Sequence, residues 1–203
     1  GAGDRAVWMA RSRCRKVIAL NEDERYTEKL KQQAADGGAD AFLSAVTGNL
    51  MELPFDDGQF KLILAEWAAT AHGLRASLEN WQRYLSPDGY LALSYPGVKN
   101  KDAPVEARGP LELRMAEPMD TLKNYHKIIA ECGYELCFQL PLPEEAWEYY
   151  YADALRRIWA LTGDKTEAIT DPVLKSIHAE AQWYRRVGRG RVFLQGFLLK
   201  KIA

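Results

Sequence analysis

Short apolar segments of strand length alternate with charged segments of helical character along most of this 203-residue chain. Residues 16–21 (KVIALN) form a β-branched run, and residues 22–35 that follow carry Tyr26 and Leu30 at helical spacing among charged side chains. Strands that alternate with helices and are apolar nearly throughout are typical of a parallel sheet with helices on both faces. We therefore predict an α/β protein with one sheet of about six strands.

The same alternation continues to the end of the chain. Further strands are predicted at residues 41–47, 60–66, 90–95 and 134–140, and further helices at residues 74–85, 119–132, 141–161 and 171–187. Residues 96–118 hold four of the nine prolines without a clear period, which predicts a long connection over a site. The last segment, residues 191–199 (RVFLQGFLL), is predicted to return as an antiparallel strand of the same sheet.

Charge and cysteine content narrow the choice of partners and compartment. Lysine and arginine number 27 against 28 aspartate and glutamate residues, so no long-range positive field attracts nucleic acid, which is not an expected partner. The apolar stretches are of strand length and interrupted by charge, so no membrane association is expected. The cysteines, Cys14, Cys132 and Cys137, form no CxxC pair, which predicts reduced thiols in a cytoplasmic protein. No metal site is predicted.

The first three residues have the form of a ligand-binding loop. Gly1 and Gly3 precede a segment that reads as the start of a helix, and such a loop lets a ligand approach the helix N-terminus. Gly3 lies about 18 residues before Asn21, the separation at which a ribose-contacting side chain is found in nucleotide-binding βαβ units. A flexible chain end is the alternative interpretation.

Taken together, these segments resemble the core of the class I S-adenosylmethionine-dependent methyltransferases. The segments that carry the resemblance are GAG at residues 1–3, the strand ending in Asn21 and Glu22, GNLMELPF at residues 48–55, FKLILAEWAATAHG at residues 60–73 and NWQRYLSPDGYLALSYPG at residues 80–97. The later residues are similar to a bacterial subgroup of uncharacterised small-molecule methyltransferases. The resemblance implies a Rossmann-like methyltransferase sheet, mostly parallel with an antiparallel last strand and helices on both faces. It also implies that the first strand of the family's sheet is missing from this sequence.

The resemblance also implies an organisation and a function. A single methyltransferase domain is expected over residues 1–203, with a cofactor-binding half at residues 1–97 and a substrate-side half at residues 98–203 that contains an aromatic-rich helical insertion. The implied function is methyl transfer from S-adenosyl-L-methionine to a small-molecule acceptor. A catalytically decayed binding or scaffold module of the same fold is the alternative, because Asn21 and Asn49 stand where the family has acids. A nicotinamide-dependent oxidoreductase is a third candidate, disfavoured because LPFDDGQF at residues 53–60 and the SPDG turn at residues 86–89 belong to the transferase pattern.

In the family, the glycine loop faces the methionine moiety, and an acid after the second strand binds the ribose. The cofactor-binding residues that the resemblance implies here are Gly1, Gly3, Asn21, Glu22, Asn49, Leu50 and Glu66. Asparagine still accepts a hydrogen bond but lacks the charge of an acid. Asn21 and Asn49 are therefore each expected to weaken binding of the cofactor by about several-fold to tenfold. Glu22 supplies the ribose carboxylate instead if the strand ends one residue later.

Two polar residues follow or end the strand at residues 60–66 and are the predicted catalytic groups. Glu66 is placed to hold the cationic sulfonium or a substrate donor, and His72 to remove a proton from the nucleophile. A solvated strand end and a structural histidine are the respective alternatives. The predicted substrate-binding residues are Trp67, Tyr95, Trp147, Tyr150 and Tyr184. The aromatic cluster that begins at Trp147 is also explained by a helix-on-sheet core or by the contact of a homodimer.

Overall fold

The structure, a computed structural model, describes residues 3–12, 16–102, 105–163 and 169–202. The helices are α1 (Asp4–Arg11), α2 (Glu24–Asp36), α3 (Leu74–Gln82), α4 (Val105–Glu112), α5 (Leu122–Glu131), α6 (Glu144–Thr162) and α7 (Pro172–Trp183). The strands are β1 (Val17–Asn21), β2 (Leu43–Thr47), β3 (Phe60–Glu66), β4 (Leu85–Val98), β5 (Tyr134–Pro141) and β6 (Val192–Lys201). The chain divides into two compact units, Gly1–Asp56 and Asp57–Ala203.

The first unit is a βαβ arrangement built on a parallel pair of strands. β1 and β2 run in register from Val17 opposite Leu43 to Asn21 opposite Thr47. Helix α2, which connects them, begins where the Asp23 side chain accepts a hydrogen bond from the Arg25 backbone N–H. Its buried side chains join those of α1 and both strands in one apolar core. The predicted order of strand, helix and parallel strand is thus confirmed in this unit.

The second unit contains a four-stranded mixed sheet in the order β3-β4-β6-β5. β3 and β4 are parallel, and β6 pairs antiparallel with both β4 and β5. The predicted antiparallel last strand is therefore confirmed. The expectation of one continuous sheet is wrong for the described residues, because hydrogen bonding places the six strands in two sheets, β1-β2 and β3-β4-β6-β5.

Helices cover both faces of the four-stranded sheet. On one face, the ring of Tyr95 in β4 packs edge-on against Tyr125 of α5, with centroids 5.3 Å apart. Leu194 pairs with Pro96, the residue after Tyr95, and therefore lies on the opposite face. There it shares a buried cluster with Trp147 of α6. This arrangement fits the predicted α/β class with helices on both faces.

One helix lies where the sequence predicts only a long connection. Within residues 96–118, helix α4 is interrupted at Gly109, whose φ of 53° and ψ of -156° are non-helical, and Pro110 follows. A Cβ at Gly109 would lie 2.1 Å from Nε1 of Trp183. That indole also donates a hydrogen bond of 2.6 Å to the carbonyl of Glu106. The helix is therefore held by tertiary contacts with α7, and its interruption removes the periodicity that sequence analysis relies on.

Candidate functional site

The glycine turn at the start of the first unit accepts no other residue without strain. Gly3 caps the N-terminus of α1 with a φ of +88°. A Cβ at this position would approach Cδ1 of Leu30 to 2.5 Å, so the turn packs directly on α2. The N-terminus of α1 then directly follows the turn, and this end of a helix favours negative or polar ligand groups. Gly1, the other predicted glycine of the loop, lies outside the described residues.

The tips of β1 and β2 are joined by two hydrogen bonds. The carbonyl of Asn21 accepts from the Gly48 N–H at 3.1 Å. The carboxylate of Glu22 accepts from the Leu50 N–H at 3.2 Å. These bonds bring the predicted ribose and adenine contacts to the same edge of the parallel pair, with Asn49 between Gly48 and Leu50. The carboxyl ends of parallel strands are where ligands of α/β folds bind.

Both predicted asparagines have their side-chain oxygen in a local turn. Oδ1 of Asn21 accepts from the Asp23 N–H at 2.9 Å, and Oδ1 of Asn49 accepts from the Met51 N–H at 2.8 Å. Each asparagine therefore offers a ligand its amide N–H₂ group and the second lone pair of its oxygen. β1 ends at Asn21, as the sequence predicts, and Glu22 follows it directly.

In the second unit, the tip of β3 carries an unusual backbone conformation. Glu66 is the last residue of β3 and is exposed. Trp67 follows with φ 61° and ψ -12°, and among the described residues it alone has a positive φ without being glycine. Its N–H donates to Oγ of Ser94 at 3.2 Å, and its carbonyl accepts from the Thr70 hydroxyl at 2.7 Å. Strained backbone of this kind concentrates at ligand and catalytic sites.

A cavity of about 410 Å³ lies in this unit beside Trp67. It is lined by Trp67, Thr70, Leu111, Arg114, Met115, Leu142, Ala146, Trp147, Tyr150, Glu180 and Leu194. The indoles of Trp67 and Trp147 meet edge to face with centroids 5.9 Å apart. Leu111, Trp147 and Leu194 are buried, whereas Trp67 and Tyr150 are exposed and form the mouth. The size and apolar lining are those of a small-molecule pocket.

One buried carboxylate lies in the wall of this cavity. Glu180 of α7 is 3% exposed, and its Oε1 accepts a hydrogen bond of 2.8 Å from the hydroxyl of Tyr151. Its Oε2 pairs with the guanidinium of Arg114, which is half exposed. Burial, and then the charge of Glu180, raises the pKa of Tyr151, so this hydroxyl stays protonated and donates. The two charges cancel, and the cavity carries a neutral ion pair in an apolar wall.

Three of the five predicted substrate-binding residues line the cavity, and the other two do not. Trp67, Trp147 and Tyr150 line the cavity together. Tyr95 does not line it, because its ring is buried against α5 and its hydroxyl donates to Glu117 at 2.9 Å. Tyr184 is also buried and stacks on Trp147 with centroids 5.5 Å apart. Both tyrosines are therefore packed in the core, and for Tyr184 this agrees with the alternative of a helix-on-sheet core.

His72, the second predicted catalytic residue, follows the segment that contains Trp67 and Thr70, but it does not line the cavity. His72 follows the 3-10 turn Ala68–Ala71, is partly buried, and donates its backbone N–H to Ala69 O at 3.3 Å. Sequence analysis missed Arg114 and Glu180, which lie 66 residues apart and meet only in the fold. The sequence offers no signal for this pair, because the burial of Glu180 is a property of the fold.

Two further observations concern only the described ranges, residues 3–12, 16–102, 105–163 and 169–202. Within them, no helix is long and apolar enough to cross a bilayer. No group of three histidine, cysteine, aspartate or glutamate side chains is arranged to hold a metal ion there. Cys132 is a buried free thiol and Cys137 an exposed one, while Cys14 lies outside the described part of the chain.

Comparison with known proteins places these features in a family context. The methyltransferase domain family matches residues 1–93. An uncharacterized methyltransferase, YodH of Bacillus subtilis (strain 168), is 24% identical over 133 residues, which are 66% of this chain and 56% of that protein. The sarcosine/dimethylglycine N-methyltransferase of Halorhodospira halochloris is 28% identical over 137 residues, 66% of this chain and 49% of that protein. The chain thus spans about half the length of these curated relatives.

A solved structure supports the same fold over almost the whole chain. The S-adenosylmethionine-dependent methyltransferase of Geobacter sulfurreducens, crystallised with S-adenosyl-L-homocysteine, superposes with a TM-score of 0.74. The match covers 98% of this chain and 80% of that one at 19% sequence identity. At this identity the likeness establishes the fold.

Proposed function

We propose that this chain, whose residues 1–93 match the methyltransferase domain family, is a class I methyltransferase that transfers the methyl group of S-adenosyl-L-methionine to a small-molecule acceptor. The observation that carries the proposal is the edge of the first unit. There Asn21, Glu22, Asn49 and Leu50 are brought together at the tips of two parallel strands by the Glu22 to Leu50 hydrogen bond. The same unit contains the left-handed turn at Gly3, a conformation that favours glycine.

The residues of this edge fit the adenosyl part of the cofactor. The left-handed turn at Gly3 leaves the N-terminus of α1 without a side chain in front of it, so a ligand can approach the backbone there. Asn21 and Glu22 are proposed to bind the ribose hydroxyls, and Asn49 and Leu50 the adenine. Gly1 is proposed as part of the same loop. An amide N–H₂ group can donate to a hydroxyl or a ring nitrogen, so asparagine at both positions weakens binding without abolishing it.

Alignment is the main contribution expected from the protein. When bound, S-adenosyl-L-methionine supplies a methyl group activated by its positive sulfur, and the carbon–sulfur bond breaks as the acceptor's nucleophile bonds to the methyl carbon. Holding the two reactants in line in a dry site provides most of the acceleration. Glu66, at the tip of β3, is proposed to face the positive charge, and His72 to take the proton that the nucleophile loses.

Ligand-induced stabilisation of the intact chain tests this function. S-adenosyl-L-homocysteine at millimolar concentration is expected to raise the melting temperature, because a ligand that binds only the folded state stabilises it. NAD at the same concentration is the matched control, since it carries the same adenosine. A shift with NAD alone contradicts the proposal and favours an oxidoreductase.

The second candidate is a decayed binding module of the same fold. Asn21 and Asn49, both with their oxygens in local turns, are the observation that favours it. The absence of any melting shift with S-adenosyl-L-methionine or S-adenosyl-L-homocysteine at millimolar concentration supports this candidate. A cytoplasmic location and a homodimer through the exposed aromatic side chains of α6 remain predictions alongside either function.

A further inference from the structure

We propose that the cavity beside Trp67 holds the methyl acceptor and selects an uncharged, largely apolar molecule that directs a hydroxyl or amide N–H at Glu180. This inference rests on the proposed function, because it names the substrate class of the same enzyme. The observations that carry it are the apolar walls, the cancelled charges and the hydrogen-bonding capacity of one buried carboxylate.

The walls of the cavity favour an apolar body with a flat face. Leu111, Leu194 and Trp147 are at most 5% exposed and form its interior, and the two indoles of Trp67 and Trp147 meet at right angles. The aromatic side chains of the lining offer a ring stacked or edge-on contacts, both favourable geometries for aromatic contact. Tyr150 at the mouth adds a third aromatic surface.

The charges of the cavity argue against a charged acceptor. Glu180 and Arg114 form an ion pair, so the lining as a whole carries no net charge. A carboxylate or an ammonium group on the acceptor would add an uncompensated charge to an apolar cavity, which is unfavourable. A cation could contact the aromatic rings, but the carboxylate that would balance it is already paired with Arg114.

The buried carboxylate has room for one more kind of contact. Oε1 of Glu180 accepts from Tyr151 and Oε2 from Arg114, and a carboxylate oxygen accepts up to two hydrogen bonds. Tyr151 is 1% exposed, so its hydroxyl fixes the orientation of the carboxylate. A donor on the acceptor therefore gains a charge-assisted hydrogen bond without breaking the ion pair.

The position of the cavity agrees with a role in the reaction. Trp67 and Thr70 belong to the segment that follows Glu66 at the tip of β3. Leu194 pairs with Pro96 near the end of β4. The cavity thus lies at the carboxyl edge of the parallel pair β3 and β4, the edge at which such sheets bind their ligands.

Three probes of one shape and different charge test the selectivity. 2-Naphthol, 2-naphthoate and 2-naphthylmethylammonium are titrated calorimetrically into the 203-residue chain, with and without S-adenosyl-L-homocysteine. We expect 2-naphthol to bind at least about tenfold more tightly than either charged probe. Equal or tighter binding of a charged probe, or no binding of 2-naphthol up to its solubility limit, overturns the inference.

Two variants move the charge balance in opposite directions. Glu180→Gln leaves Arg114 unpaired and is expected to shift the preference towards 2-naphthoate. Arg114→Gln leaves Glu180 unpaired and is expected to shift it towards 2-naphthylmethylammonium. Arg156→Gln is the matched control, because Arg156 pairs with Asp153 on the exposed surface of α6. If both cavity variants keep the native order of probes, the ion pair does not set the selectivity and the inference is overturned.

The outcomes distinguish this inference from the proposed function. Should Glu180→Gln not fold, Arg114→Gln and the native probe series still decide, because Arg114 is half exposed. Binding of S-adenosyl-L-homocysteine without a preference for 2-naphthol refutes the acceptor class and leaves methyl transfer standing. A preference for 2-naphthol without binding of S-adenosyl-L-homocysteine refutes methyl transfer and leaves the selectivity of the cavity standing.

Discussion

Restoring an acid at the tip of β1 is expected to tighten binding of the cofactor. In Asn21→Asp, one carboxylate oxygen keeps the hydrogen bond that Oδ1 of Asn21 accepts from the Asp23 N–H at 2.9 Å. The second oxygen replaces the amide N–H₂ group and can accept from a ribose hydroxyl. The change therefore adds a charged acceptor without disturbing the turn that positions it.

The size of the effect follows from the strength of the new bond. A hydrogen bond to a charged group is about twice as strong as a neutral one, a gain of about 1 kcal/mol, which corresponds to about fivefold in affinity. Glu22 and Asp23 lie next to the new charge, but Asp23 already pairs with Arg25 at 2.5 Å. Measurement at about 0.15 M salt screens the exposed charges over about 8 Å and limits the remaining repulsion.

Calorimetric titration with S-adenosyl-L-homocysteine measures the change. The control is Asn100→Asp, because Oδ1 of Asn100 accepts from the Asp102 N–H at 3.1 Å in a turn of the same form in the other unit. We expect about fivefold tighter binding for Asn21→Asp and no change for Asn100→Asp. Unchanged or weaker binding by a normally folded Asn21→Asp protein refutes the assignment of Asn21 to the ribose.

Three further predictions concern the stability of the fold. Gly3→Ala is expected to lower the free energy of unfolding, measured by denaturant titration, by about 1–3 kcal/mol more than Gly38→Ala. Both glycines have a positive φ, but only at Gly3 would the added Cβ lie 2.5 Å from a carbon of Leu30. Asp171→Ala is expected to cost about 1 kcal/mol in chemical unfolding, since its side chain caps α7 through two backbone N–H groups, whereas Asp171→Asn should cost little. Burial raises the pKa of four tyrosine hydroxyls, which therefore stay neutral in the folded state. Their contribution to stability is complete below the ordinary tyrosine pKa of 10 and is lost as pH rises above it. The free energy of unfolding measured between pH 8 and pH 12 should therefore fall, and a flat profile would contradict this prediction. The tyrosines concerned are Tyr95, Tyr125, Tyr134 and Tyr151.

Sequence alone predicts the regular elements because they depend on local periodicity. β3 spans residues 60–66 as predicted, and α2 begins two residues after the predicted start because Asp23 caps it. Helix α4 could not be predicted, since Gly109 breaks its period and a contact with Trp183 from a distant helix holds it. β4 begins at Leu85 rather than residue 90, with Ser86–Gly89 bulging between the partners of Phe60 and Leu62.

Part of the candidate site could likewise be predicted from the sequence, and part of it could not. The resemblance predicts Asn21, Glu22, Asn49 and Leu50 as cofactor contacts, and the structure brings these four residues together because they lie at the ends of two paired strands. The cavity beside Trp67 depends instead on contacts between distant segments. Arg114 and Glu180 meet across 66 residues, and no spacing rule relates them.

The adenosyl site itself is tested most directly by a crystal structure of the intact chain with S-adenosyl-L-homocysteine. We expect the nucleoside to contact the backbone at Gly3, the side chain of Asn21 and the loop that contains Asn49. A nucleoside bound away from these three segments, or crystals grown at millimolar ligand that show no nucleoside, would contradict the proposed cofactor site.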